Sequence, residues 1–416
     1  MRKSRSNKLS CDASCPVVVV GGSVVGLGVV RSLSTASSSI VVLDTSRFNP
    51  ALLSRHCKGR VIASLSGDLL IDELKAISTG FAIRPLLILT QDAAVETVSR
   101  NREALEPFYS FLLPPAETVD MLNDKAKFHD FATRENFPVP EGLVVSCIDD
   151  LSRIDVWRGP MVVKPAQKIG LEAFGLDRAS RFESTADAKA RCMALLNLNA
   201  SAIVQKWVDG PDRDIYFCLF FCDPRGQPLR LFTGRKLSAY PPGVGSTATC
   251  IAAPEAQAEL GAITARLTAI TGYAGLGGLE FKRDASTGKF IIIEPTVGRT
   301  DWQEEIASLS GANIPMAAFL YATGQPVPRV DATLPRVAWR TSLKHRAPAS
   351  LQAANVRISD GYWRAGDPLP GLAFYGIEPV RRIFHFGIGK ALSHATRWLV
   401  NKARKFSVRP LTNTPA

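Results

Sequence analysis

The chain has 416 residues, 46% hydrophobic and 21% charged, with a net charge of +12; this is too long for one compact core, so two or three domains are expected. Eight cysteines without a CxxC pair, and five histidines without an HxxxH or HExxH pair, argue against a disulfide scaffold, a structural zinc and a zinc hydrolase, and fit a reducing compartment. Residues 1–10 carry four basic groups and residues 381–416 carry eight, with no acid in either stretch. These account for the whole positive excess, so the body is balanced and no basic groove for nucleic acid is indicated.

The opening MRKSRSNK and PVVVVGGSVVGLGVV have the outline of a signal peptide, but glycines and Arg31 interrupt the apolar run. The pattern predicts a buried strand over 16–20, a glycine turn, a helix to about Ser34, and a second strand over 40–44. A further apolar strand is expected over 85–90. Unbroken apolar strands alternating with helices indicate a parallel α/β layer, which ends near residue 119. The glycine turn places Gly21, Ser23 and Gly26 at the spacing of a dinucleotide fingerprint, with Asp44 as the following acid. The middle glycine, which lets backbone approach a pyrophosphate, is missing. A structural turn or a substrate-facing loop is the better reading.

A helix capped by Asn123 or Asp124 stops at Pro138 and Pro140. PMVVKPA (160–166) is a strand ending in Lys164, and SAIVQKWVDG (201–210) is a strand entering a turn. Strands follow over 214–223 and 229–237, then a helix over about 255–271. NIPMAAFLYATG (313–324) closes a second α/β unit near residue 325, and proline-rich stretches mark a less regular third region. From Lys390 to Phe406 apolar residues recur at helical spacing among basic ones, the pattern of an amphipathic helix suited to an anionic membrane surface.

Between them lies GLGGLEFKRDASTGKFIIIEPTVGRTDWQ (275–303), read as a hairpin of strands 279–284 and 290–295. Leu279, Phe281, Ile291 and Ile293 alternate as a buried face would. In that register Glu280 and Glu294 oppose each other, and directly facing like charges are destabilising. A divalent cation held between the two carboxylates, with phosphate among its other ligands, would account for them. Lys164 ends a strand where an ammonium reaches a phosphate, and Lys125 begins a helix whose N-terminus favours anions. Gln205, Lys206, Trp207 and Val208 end a strand able to meet an adenine edge. Asp212 and Asp214 follow, where a carboxylate accepts ribose hydroxyls.

The order of these residues resembles the ATP-grasp superfamily, in particular its ATP-dependent carboxylate–amine ligases, over about residues 120–325. DKAKF resembles the lid entry, MVVKP the phosphate-binding lysine strand, and VQKWVDG the hinge that grips adenine. FTGRKLSAYPPGVGSTAT and GLGGLEFKRD…FIIIEPTVGRTDWQ resemble the core strands. The resemblance implies an N-terminal parallel-sheet, Rossmann-like pre-ATP-grasp domain (16–119). A two-lobed ATP-grasp domain (120–325) would follow, with its lid at about 125–207 and its core at about 208–325, and then a basic C-terminal extension (326–416).

It further implies that Lys125 and Lys164 contact ATP phosphates, and that Gln205, Lys206, Trp207 and Val208 line the adenine site. Asp214 would bind ribose, with Asp212 as the alternative. Glu280, Glu294 and Thr296 would hold Mg²⁺, or Mn²⁺ in its place; Thr296 stands where the superfamily usually has Asn. Arg235, Lys236 and Arg299 would face phosphate or the acyl substrate. The implied partners are a small carboxylate and an amine; the scattered cysteines point to a cytoplasmic enzyme, and the basic amphipathic pattern over 390–406 to peripheral contact with the inner face of the membrane. The rival readings are an NAD(P)-dependent Rossmann oxidoreductase and a non-catalytic nucleotide-binding protein.

Overall fold

The computed structural model describes residues 15–37, 39–167, 177, 179–243, 245–329, 336–345, 348, 351 and 356–377. The basic helix expected over 390–406 and most of the loop after Lys164 lie outside the described residues. Among the described residues no helix is long and apolar enough to cross a membrane.

The N-terminal unit is a four-stranded parallel sheet in the order β3-β2-β1-β4. Its strands are β1 (Val17–Val20), β2 (Ile40–Asp44), β3 (Lys58–Val61) and β4 (Leu86–Leu89), flanked by α1 (Val24–Leu33), α2 (Gly67–Ser78), α3 (Asp92–Arg100) and the short α4 (Arg102–Leu105). All four β1 valines are fully buried, as a strand covered on both faces requires. The glycine turn between β1 and α1 is structural. Gly21 has φ +102°, and a β-carbon on it would lie 2.2 Å from Thr90 Oγ1. Asp44 Oδ2 accepts from the Gly22 amide, and Oδ1 from the Thr45 and Ser46 amides and Asn49 Nδ2. Both carboxylate oxygens are thus engaged in holding the turn, which removes the acid that a dinucleotide ribose would need.

Helices α5 (Ala116–Asn123) and α6 (Lys125–Arg134) lead into a second, antiparallel sheet ordered β5-β8-β6-β7. It comprises β5 (Gly142–Val145), β6 (Met161–Pro165), β7 (Ser180–Phe182) and β8 (Ala202–Lys206), and α7 (Thr185–Leu196) packs on it. This unit has its own apolar core, including Leu143, Val163, Cys192, Leu195 and Val204.

The third sheet has seven strands in the order β13-β12-β9-β10-β11-β14-β15. They are β9 (Ile215–Cys222), β10 (Pro228–Tyr240), β11 (Ser246–Ala252), β12 (Gly275–Arg283), β13 (Phe290–Val297), β14 (Val337–Arg340) and β15 (Arg357–Asp360). Every residue of β9 is buried. One face carries Cys218 and Phe220 into the core that includes α8 (Gln257–Ile270). The other carries Phe217, Leu219 and Phe221 toward α10 (Ile314–Ala322), α9 (Glu304–Leu309) and α1. Strands β14 and β15 extend the same sheet beyond residue 325.

The hairpin register differs in one respect from the alternation expected. Glu280 faces Glu294, but Phe281 faces Ile292, so Ile293 is the extra residue of a β-bulge. The bulge turns Ile292 into the core, in place of Ile291 and Ile293, alongside Leu279 and Phe281.

The N-terminal unit is fastened to the third sheet through α1. The Arg31 guanidinium donates to Asp367 Oδ2 and to the carbonyls of Gly361 and Tyr362. Glu305 Oε2 accepts from Trp339 Nε1 at 2.9 Å and pairs with Arg364. Its neighbour Glu304 is fully buried and accepts from the hydroxyls of Ser32 and Ser308. Burial, with the nearby Glu305 charge adding to it, pushes the Glu304 carboxyl up from 4.5 to about 8. Between those values the native state holds a proton that the unfolded chain has released, so stability falls as pH rises through this window, at about 1.4 kcal/mol per pH unit where steepest. Glu304→Gln keeps an acceptor for both hydroxyls and removes the titration. The variant is expected to melt above the parent at pH 8.5 and to lose this part of the pH slope. Parallel melting curves from pH 5 to 9 would contradict the assignment.

Candidate active site

The face of the third sheet opposite α8 becomes polar at one end. Glu280 on β12 and Glu294 on β13 are direct cross-strand partners there, and Thr296 follows Glu294 on the same face. The two carboxylates do not simply repel. Lys236 Nζ lies 2.7 Å from Glu280 Oε2, and Lys125 Nζ lies 3.0 Å from Glu294 Oε1. Each glutamate thus carries its own ammonium, which corrects the expectation of an uncompensated pair.

Long-range placement brings these cations in. Lys125 is the first residue of α6, and its amide donates to the Ala166 carbonyl just beyond β6. Asp124 caps that helix and also accepts from Gln167, so the helix start is pinned to the strand that ends in Lys164. Burial lowers the pKa of Lys164; Glu294 and Glu280 oppose the shift and Lys125 adds to it, so all four charges feel one another. Lys236 comes from β10. Burial alone would lower its pKa, but contact with Glu280, reinforced by Asp301 and Glu294, raises it, while burial pushes the Glu280 carboxyl up against the opposing pull of Lys236.

Arg299 follows β13 and donates to Asp92 Oδ1 at 2.5 Å, at the start of α3 in the N-terminal unit. Despite burial, this partner raises the Arg299 pKa, with Asp301 and Glu294 contributing. Arg235 is not brought into the group. Side chains alternate along β10, so it lies on the opposite face from Lys236, the face on which Thr233 meets Cys218.

The hinge residues are more dispersed. Gln205 is buried within β8, between Gly142 on β5 and Val162 on β6. Lys206 is exposed and forms an ion pair with Glu141, and its amide donates to the Glu141 carbonyl. The Trp207 amide donates to the Pro160 carbonyl, and the Arg181 guanidinium lies 5.0 Å over its ring. Val208 is half-buried beside it. Asp212 accepts from the Ala239 and Gly243 amides, one on each carboxylate oxygen, so it clamps the end of β10. Asp214 lies one turn on, against Gly210.

Sequence reading missed Lys282, Asp92 and Asp301. Lys282 is buried on the same face as Glu280 and donates to the Gly210 and Pro211 carbonyls at 2.6 and 3.2 Å, tying the hinge to β12. Its signal was present, because it stands two residues after Glu280 on one strand. Nothing local marks Asp92 or Asp301.

The donor set suits a hard divalent cation with help from a ligand. Among the described residues no group of three or more His, Cys, Asp or Glu is arranged to hold a metal. Two facing carboxylates and the Thr296 hydroxyl supply only part of an oxygen shell, and the phosphates of a nucleotide are the usual remainder for Mg²⁺.

Neither a family model nor a curated protein matches the sequence. Solved structures do match. N5-carboxyaminoimidazole ribonucleotide synthetase from Thermus thermophilus aligns with a TM-score of 0.59 at 16% identity, over 81% of this chain and 86% of that one. The Staphylococcus aureus N5-carboxyaminoimidazole synthetase gives 0.59 at 14% identity, over 79% and 81%. The biotin carboxylase domain of the Hydrogenobacter thermophilus 2-oxoglutarate carboxylase, complexed with ADP, MgADP and bicarbonate, gives 0.57 at 16% identity, over 76% and 72%. The chain has the ATP-grasp fold.

The two ion pairs differ in burial, and that predicts unequal responses. The Lys236 side chain is only 5% exposed, whereas that of Glu294 is 45% exposed. Glu280→Gln strands a buried ammonium and is expected to cost about 3–5 kcal/mol; Lys236→Met in the same chain should recover most of it. Glu294→Gln is expected to cost no more than about 1 kcal/mol. Urea midpoints check the contrast, and equal losses in the two single variants would contradict it.

Proposed function

We propose that the chain is an ATP-dependent ligase that joins a carboxylate to an amine and releases ADP and phosphate. What carries this reading is the opposed Glu280 and Glu294 with Lys125, Lys164 and Lys236 around them, on the core sheet of an ATP-grasp fold. The neighbours solved with ADP, MgADP and bicarbonate support nucleotide use and an oxyanion substrate.

Glu280, Glu294 and Thr296 hold Mg²⁺, or Mn²⁺ on the same oxygen ligands, together with the nucleotide phosphates. The metal supplies Lewis-acid neutralisation of developing phosphoryl charge. Lys125 and Lys164 bind phosphate oxygens, and Lys236, buried and held charged, stabilises the transferring group. Gln205, Trp207 and Val208 wall the adenine, Asp214 accepts the ribose hydroxyls, and Arg299 orients the acyl substrate from its seat on Asp92. The substrate carboxylate oxygen attacks the terminal phosphorus as ADP leaves. The amine then attacks the acyl carbon, phosphate departs, and the amine nitrogen loses its proton. The protein contributes position and fixed charge, and no side-chain nucleophile takes part. The basic segment 381–416 holds the enzyme at an anionic membrane surface on the cytoplasmic side.

A coupled ADP-release screen over amino acids and small carboxylic acids tests the reading. Glu294→Gln, with its small stability cost, is expected to lower turnover at least a hundredfold. Trp207→Ala is expected to weaken ATP binding without changing acceptor preference. ATP binding with no ADP release for any pair would leave a non-catalytic nucleotide binder, and unchanged turnover in Glu294→Gln would remove the metal assignment.

A further inference from the structure

Residues 336–377 form a surface that the ligase reading does not use. Leu343, Leu369 and Leu372 are 56, 55 and 54% exposed, and Trp363 and Tyr240 are exposed as well. Direct contacts join them into one stretch. The Leu343 amide donates to the Tyr375 hydroxyl at 2.7 Å, and the Lys344 ammonium lies 5.4 Å over the Phe374 ring. The Tyr240 ring stands 5.2 Å from that of His345. Trp363 packs against Gly371 so closely that a β-carbon there would lie 2.8 Å from its ring. Leu369 and Leu372 are three residues apart on a single helical turn, and so share a side. Single exposed leucines need no explanation, but a contiguous group rimmed by charge marks a contact surface.

Among the described residues of 336–377 the exposed charges are basic. The only acids in 336–377 are Asp360 and Asp367, and both are buried. Asp360 is taken up by the Tyr375 hydroxyl and two backbone amides, and Asp367 by Arg31, Ser54 and the Arg55 amide. Outward stand Lys344 and Arg55, the latter donating to the Gly366 carbonyl. The chain then continues into residues 381–416, with eight basic groups and no acid. Exposed aliphatic side chains beside Lys344 and Arg55 match the acyl boundary and anionic headgroups of a bilayer.

We propose that the 336–377 surface docks on an anionic lipid bilayer, with Leu343, Leu369 and Leu372 entering the interface and Lys344 and Arg55 at headgroup level. The proposal rests on the membrane reading of the basic segment for its long-range attraction, and is independent of the ligase reading.

Flotation of the full-length protein with phosphatidylcholine vesicles, with and without phosphatidylserine, tests it. Recovery is expected only with the anionic vesicles, falling as salt rises. Leu343→Ser with Leu372→Ser should reduce partitioning about a hundredfold, roughly tenfold per leucine withdrawn from the interface, at unchanged melting temperature and ADP release. Lys402→Gln, Arg404→Gln and Lys405→Gln together should also weaken it. Full recovery of the leucine variant beside loss in the charge variant would confine the contact to the segment after 381 and overturn the proposal. A melting temperature lowered by several degrees in the leucine variant would show that the chain itself covers these residues, with the same consequence. A chain that floats as expected yet releases no ADP would support the docking surface and sink the ligase reading alone.

Discussion

Two carboxylates can face each other across a strand pair only if positive charge stands with them. Here that charge comes from two distant segments, Lys236 on β10 and Lys125 at the start of α6. The constraint shapes everything around it. β10 must lie on the far side of β9 from β12, close enough for a lysine to reach across, and α6 must begin where β6 ends. The second and third sheets are therefore tied to each other through the start of α6.

The four-stranded antiparallel sheet has its own apolar core, while the seven-stranded sheet shares its two faces with helices before and after it in sequence. The turn between the two sheets is polar. Lys282 grips the carbonyls of Gly210 and Pro211, and Asp212 grips the amides of Ala239 and Gly243. These contacts tie the 210–214 turn to β12 on one side and to the end of β10 on the other.

Much of the fold was legible because its signals are local. PVVVV, IVVLD and LLIL read as parallel strands through unbroken apolar runs, and the order of lysine strand, hinge and glutamate hairpin carried the ATP-grasp resemblance. The facing of Glu280 and Glu294 followed from hairpin arithmetic, although the bulge at Ile293 shifted which isoleucine is buried. What stayed hidden depends on tertiary contact. The cation paired with each glutamate, the seat of Arg299 on Asp92 and the use of both Asp212 oxygens arise between segments far apart in sequence. Arg235 and Lys236 look equivalent as a basic pair, yet strand alternation sends them to opposite faces, so only one can stand beside Glu280. The membership of β14 and β15 in the core sheet was also invisible, since four-residue strands among prolines carry little periodic signal.

The Arg31 clamp bears on how the chain is made. Its partners are Glu305, Gly361, Tyr362 and Asp367, all far downstream in the sequence. During synthesis the parallel sheet closes before these partners exist, so the guanidinium on α1 waits for the segment from Glu305 to Asp367. Closing a contact of that sequence separation is slow. The docking of α1 against the residues that follow β15 is therefore later than closure of the parallel sheet itself.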